Sequence, residues 1–185
     1  RKLLRVHFDE MLEMAGAGSK VLAMRSVEFA RNHDVHLHVR SAFTWEQGTW
    51  VSNEEPSVED PIISGVVTDM TEAKVTVLGV PDRPGISAAL FEPLAESNVN
   101  VDMIVQNTST EGTTDISFTM PMADLAQAES IVQRVALEIG ATEVTHDDDI
   151  AKVSLVGAGM KSSPGIAAKM FRVLADEDIN LQMIS

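Results

Sequence analysis

Apolar residues alternate along 99–106, VNVDMIVQ, where Val99, Val101, Met103 and Val105 fall on one side. A two-residue period of this kind predicts a half-buried strand. The same period marks 62–68 (IISGVVT), 74–80 (KVTVLGV), 113–120 (TTDISFTM, with Ile116, Phe118 and Met120 together) and the segment TEVTHD. Between these strands the period lengthens to that of a helix. Residues 85–97 place Ile86, Ala89, Leu90 and Leu94 on one face, and Pro93 is expected to remove one helical hydrogen bond and kink that turn. Residues 122–139 set Leu125, Ala128, Val132, Val135 and Ile139 in one stripe. The order over about 71–149 is β-α-β-β-α-β, the ferredoxin-like arrangement of an α+β fold. A strand at 152–157, a helix at 164–177 and a strand at 179–185 begin a second unit of the same kind.

The N-terminal pattern differs. Residues 8–32 read as helix interrupted at Gly16 and Gly18, with Asp9 and Ser19 as the two caps. A strand follows at 35–41 (VHLHVRS) and a shorter one at GTWV. Residues 44–61 mix acids, proline and glycine and hold the best domain boundary.

The two units repeat each other. At an offset of 80, residues 84–104 match 164–184 at 10 of 21 positions, beginning with Pro-Gly-Ile at both helix starts. An internal match of this density marks two copies of one structural unit. A strand that turns through Pro-Gly into a helix leaves backbone N–H groups at the positive end of the helix dipole, which suits a carboxylate. Gly85 and Gly165 permit close approach to the backbone. Asn100 and Asp102 lie on the polar side of the neighbouring strand, with Gln106 further along. A carboxylate-binding turn beside an aspartate suits a zwitterion such as a free amino acid. The same turn also serves simply to start a helix, and spacing alone leaves both readings open.

Composition narrows the partners. The net charge of −14 makes nucleic acid and anionic membranes poor partners. No apolar run is long enough to span a membrane. The absence of cysteine excludes disulfides and Cys-based zinc sites and is compatible with a cytoplasmic location, which is the expectation. The first residue is Arg1 and the last, Ser185, falls inside an alternating run, so the chain reads as a piece of a longer protein.

EAKVTVLGVPDRPGISAALF, NVNVDMIVQN and TTDISFTM together resemble the first ACT domain of aspartate kinases. KVSLVGAGMKSSPGIAAKMF with NLQMIS resembles the second, and FDEMLEMAGAGSKVLAMRSVEFARNHDVHLHVRS with GTWV resembles the end of their amino-acid-kinase domain. The resemblance implies five segments: a kinase piece at 1–52, a linker at 53–61, a strand of the second ACT domain at 62–70, the first ACT domain at 71–149, and an incomplete second ACT domain at 150–185. In this family the first ACT domain is inserted into the second, which explains a strand at 62–68. The family phosphorylates the aspartate side chain with ATP and Mg²⁺, and lysine and/or threonine inhibit it through the ACT domains. Its ATP- and aspartate-binding motifs are absent here, so no catalytic residue is assigned and the chain by itself should not turn over.

Effector contacts carried over from the resemblance are Asp82, Arg83, Pro84, Gly85, Ile86 and Ala88 in the first loop and helix start. Asn100, Val101 and Asp102 follow on the facing strand, where the aspartate helps recognise an amino group. Gln106 and Asn107 lie near the edge along which ACT sheets pair, which makes self-association an expectation. In the second copy Met160, Ser162, Ser163, Pro164, Gly165 and Ile166 form the corresponding loop. Gln182 stands where the first copy has Asp102, so the two copies differ in charge. No metal site is assigned: His36 and His38 read as strand histidines, and HDDD at 146–149 as a solvated turn. Trp45 and Trp50 read as a packed linker, and the ten methionines mostly as core. The alternative function is a non-catalytic amino-acid-binding module of another enzyme.

Overall fold

The structure is a computed structural model that describes residues 2–54, 63–107, 112–157 and 165–185. In chain order the elements are β1 (Arg5–His7), α1 (Phe8–Gly16), α2 (Met24–Asn32), β2 (Leu37–Val39), β3 (Thr49–Ser52), β4 (Gly65–Asp69) and β5 (Glu72–Pro81). Then come α3 (Ile86–Glu96), β6 (Ile104–Gln106), β7 (Thr113–Pro121), α4 (Leu125–Ile139), β8 (Glu143–Asp147), β9 (Lys152–Val156) and α5 (Ile166–Asp176). They divide into two units. One comprises Arg1–Asp69 with Val153–Gln182, the other Met70–Lys152 with Met183–Ser185.

In the second unit the expected β-α-β-β-α-β order closes into an antiparallel sheet ordered β6-β7-β5-β8. Both helices cover one face because only that face is apolar. Val75, Val77 and Val80 of β5 and Ile116, Phe118 and Met120 of β7 pack against Leu90 and Leu94 of α3 and Ala128, Val132, Val135 and Ile139 of α4. Phe91 meets Phe118 edge-on with ring centroids 5.2 Å apart, a geometry the ring quadrupoles favour. Ala89, expected on the buried face, is exposed, and α3 continues through Pro93 to Glu96.

Val77 and Val80 both point inward although they are three residues apart. A bulge between them in the β5–β7 register shifts the alternation by one residue. Gly79 sits in that bulge with φ 63°, and a Cβ there would lie 2.1 Å from Thr142 Oγ1.

Only 104–106 of the expected strand 99–106 pairs as β6. Upstream, the Asp102 N–H donates to the Thr119 carbonyl and the Thr119 N–H to the Met103 carbonyl, each at 2.9 Å. The alternation is real: Val99 is buried and 101, 103 and 105 are half-buried, while the residues between them are exposed.

The repeat extends to the backbone. Gly85 and Gly165 begin α3 and α5 with φ of 91° and 94°. Asn98 and Asp178, also 80 apart, follow the two helices with φ of 56° and 57°. The next N–H groups, of Val99 and Ile179, return to Leu94 and Leu174 at 3.0 and 2.9 Å.

In the first unit β3 lies between β1, parallel to it, and β2, antiparallel to it. The cap of α1 is His7 rather than Asp9. The His7 imidazole accepts from the Asp9 N–H at 3.2 Å, and Glu10 accepts from the His7 N–H in a capping box. Asp9 pairs instead with Arg31 at 2.7 Å. Ser19 caps nothing, because α2 starts only at Met24 with Ala23 at the cap position; the Ser19 N–H instead closes the end of α1 on the Met14 carbonyl.

Strand β4 pairs with β9, and the Ser64 N–H reaches the Val156 carbonyl at 2.8 Å. Val67 and Val156 share a core with Phe8, Met11 and Met14 of α1. The expected strand at 179–185 is absent: a strand exists by pairing, and neither β4 nor β9 pairs with it. Trp45 is 96% exposed rather than packed, whereas Trp50 stacks on His38 at 3.9 Å. Met11, Met14 and Met120 are core, but Met24, Met70 and Met122 are exposed.

We expect Gly79→Ala to destabilise the second unit. The left-handed backbone alone costs a residue with a Cβ about 1–2 kcal/mol, and displacing Thr142 adds to it. Urea unfolding followed by far-ultraviolet circular dichroism reads the loss; an unchanged midpoint would show that the bulge is not required.

Candidate functional site

The chain leaves β5 at Pro81 and turns through Asp82, Arg83, Pro84 and Gly85, all exposed, into Ile86, which is buried and anchors the helix start. The Asp82 N–H is held by the Gly112 carbonyl at 2.9 Å and the Arg83 N–H by the Pro81 carbonyl at 3.0 Å. No side chain caps α3. Asp82 and Arg83 make no side-chain hydrogen bond or ion pair among the described residues, and Ala88 is exposed. An added Cβ at Gly85 would meet nothing within 4 Å, so the positive φ, not crowding, selects glycine there.

Gln106 and Asn107 lie at this same end of the sheet. Pro81 is opposite Thr113 and Gln106 opposite Ile116, and the Thr114 hydroxyl donates to the Asn107 carbonyl at 2.5 Å. Asn100, Val101 and Asp102 lie at the other end. Asp102 bonds to Thr119, which stands opposite Lys74 near the start of β5. From Thr113 to Thr119 the strand rises about 20 Å. The expectation of a turn beside Asp102 within one unit is therefore corrected: β5 and β6 run the same way, so the end of one is far from the start of the other.

What Asp102 does face is Lys152, whose Nζ lies 2.5 Å from Asp102 Oδ2 and 3.2 Å from Glu72 Oε1. Glu72 and Lys152 side chains are 10% and 12% exposed, that of Asp102 45%. Burial would lower the Lys152 pKa, but hydrogen bonds and charge from Asp102 and Glu72 together outweigh it and hold the pKa above the ordinary lysine value. Glu72 Oε2 is buried without a hydrogen-bond partner. Sequence reading missed Glu72 and Lys152. The repeated Ala-Lys-Val at 73–75 and 151–153 marks Lys152 as the counterpart of Lys74, but nothing linear brings residues 72 and 152 together.

In the second copy Gly165 and Ile166 reproduce the helix start, with Ile166 half-buried. Met160, Ser162, Ser163 and Pro164 lie outside the described residues. Gln182 is exposed and brings no carboxylate. Among the described residues no three His, Asp or Glu side chains gather as a metal group, and no helix is long and apolar enough to cross a membrane.

Residues 74–136 and 153–185 each match the ACT domain family. An aspartate kinase of Pseudomonas putida is 50% identical over 186 residues, which cover 100% of this chain and 45% of that protein. A crystal structure of aspartokinase alpha and beta subunits contains a chain that is 46% identical with a TM-score of 0.61, over 66% of this chain and 80% of that one. The chain belongs to the aspartokinase family. Escherichia coli aspartokinase III in complex with lysine and aspartate shares the fold, with a TM-score of 0.69 at 23% identity over 100% of this chain and 40% of that one. This aspartokinase chain spans 45% of the length of the curated relatives it matches.

Lys152→Met should cost about 3–5 kcal/mol, because it strands Glu72 as a buried, uncompensated charge. The double substitution Glu72→Gln with Lys152→Met should recover most of that loss in urea unfolding. The raised pKa of Lys152 sets the sign with pH: its contribution is complete below the unfolded lysine value of about 10.4 and disappears as pH rises through the higher folded value. The parent chain should therefore lose stability above that range, and the double variant should not share this part of the loss.

Proposed function

We propose that this chain is the regulatory part of an aspartate kinase that senses lysine, threonine or both. The parent enzyme would transfer the γ-phosphoryl group of ATP to the side-chain carboxylate of aspartate. Among the described residues no three His, Asp or Glu side chains gather to hold the accompanying Mg²⁺, so ATP and the metal would be held elsewhere in the parent enzyme. The observation that carries the reading is the duplicated turn: both copies of the repeat start a helix from a left-handed glycine at equivalent positions. Backbone N–H groups at such a helix start suit the carboxylate common to every amino acid. The lysine-bound relative supports an amino-acid effector.

Self-association is part of the same proposal. Strand β6 is an edge, and Ile104 on it is 52% exposed. An unpaired edge is a template for a second copy. Antiparallel pairing of two β6 edges about a two-fold axis would turn one sheet end for end. The turn end of one unit would then lie on the same side as the Asp102 end of its partner, which supplies the carboxylate that the turn lacks within its own unit.

Titration of the chain with lysine, threonine, their mixture and methionine, followed by thermal shift, tests the reading. An effector at 100 times its Kd should raise stability by about 2.7 kcal/mol. Asp102→Ala should weaken the response, and lysine and threonine affinities unchanged from those of the parent chain would remove Asp102 from the site. Ile104→Pro should remove a donor from the free edge, because the N–H groups of 103 and 105 face β7 and that of 104 faces outward, and it should halve the mass found by sedimentation, since proline cannot donate to a ladder.

A further inference from the structure

Lys152 has more carboxylate around it than it neutralises. One ammonium touches Asp102 Oδ2 and Glu72 Oε1, while Glu72 Oε2 stays buried without a donor. All three residues belong to the same unit. Their exposures divide the roles. Glu72 and Lys152 form the interior pair, and Asp102, nearly half exposed, is the end that a solute reaches. The Asp102 backbone is pinned by its N–H to Thr119, so its carboxylate is presented from a fixed point.

We propose that Lys152 is an internal ammonium that occupies Asp102 until an external ammonium replaces it, and that the free oxygen of Glu72 receives the displaced lysine. In the resting arrangement two negative charges share one positive charge. With an external ammonium on Asp102 the count is two of each, and Lys152 bonds to both oxygens of Glu72. The exchange leaves every charge partnered and gives Glu72 Oε2 the donor it otherwise lacks. Moving Lys152 into water instead would strand the buried carboxylate, which is the costly outcome. The flexible four-carbon stem and three donors of lysine suit a short movement between neighbouring acceptors. The ligand class is a primary ammonium, either the α-amino or the side-chain group of an amino acid or a simple amine. This rests on the amino-acid-sensing reading only for the identity of the natural ligand. The exchange itself concerns the ammonium alone.

The internal competitor weakens external binding by the fraction of molecules in which Asp102 is occupied. The experiment titrates the full chain with n-butylammonium chloride against sodium chloride of equal ionic strength and reads affinity by thermal shift and calorimetry. Lys152→Met alone risks unfolding, so the variant read is Glu72→Gln with Lys152→Met. It should bind n-butylammonium about 5- to 150-fold more tightly than the parent chain, and adding Asp102→Asn should abolish the gain. Equal affinity in parent and double variant, absence of binding in both, or binding that survives Asp102→Asn overturns the exchange. A parallel lysine titration of the parent separates the two readings. Lysine binding with a failed n-butylammonium result removes the exchange and keeps the sensor. The reverse outcome keeps the exchange and removes the sensor.

Discussion

The structure depends on β4 and β9 meeting each other with a whole folded unit between them in sequence. The chain leaves the first unit after Asp69 and returns at Val153, and strand pairing holds these two points together. Closing so long a loop is entropically unfavourable, but the cost grows only with the logarithm of length. A unit whose two ends are adjacent removes most of that cost. The second unit has this property: β5 begins at Glu72, β9 begins at Lys152, and an ion pair joins those two residues. A hydrogen-bonded ladder on one side of the crossing and a buried salt bridge on the other serve the same closure.

Local periodicity made much of this fold legible. Strands β5 and β7 and helix α4 follow directly from alternation and stripe, and the repeat announced that α3 and α5 share one design down to their φ angles. The misses have physical causes. A strand at 179–185 has the right alternation, but alternation describes a face and not a partner. Ser19 has the right chemistry for a cap, but the second helix starts only at Met24, with Ala23 at the cap position. The strand pattern of 74–80 gives no sign of the bulge at Gly79, which is what returns Val80 to the core. The Glu72–Lys152 pair has no local signature, since a contact across 80 residues is visible only after folding.

The candidate effector residues show the same limit. Sequence places Asp82–Ile86 and Asn100–Asp102 close together, because a helix and a tight return separate them. The topology places them at opposite ends of the sheet, because β5 and β6 are parallel and a helix carries the chain back between them. Proximity along the chain and proximity across a sheet are different quantities in any β-α-β unit. A turn at the end of one strand is completed by whatever lies beyond that end, and the residues that begin the next parallel strand are the least able to complete it.

The stacked Trp50 gives the molecule an optical asymmetry. Both tryptophans, Trp45 and Trp50, lie in the first unit, and the chain has no tyrosine. Intrinsic tryptophan emission therefore belongs to one of the two units, while the peptide absorption of both contributes to the far-ultraviolet signal. Followed together during denaturation, the two signals coincide if the units melt as one and separate if they do not. The distribution of two indole rings thus makes cooperativity between the units directly observable without any added label.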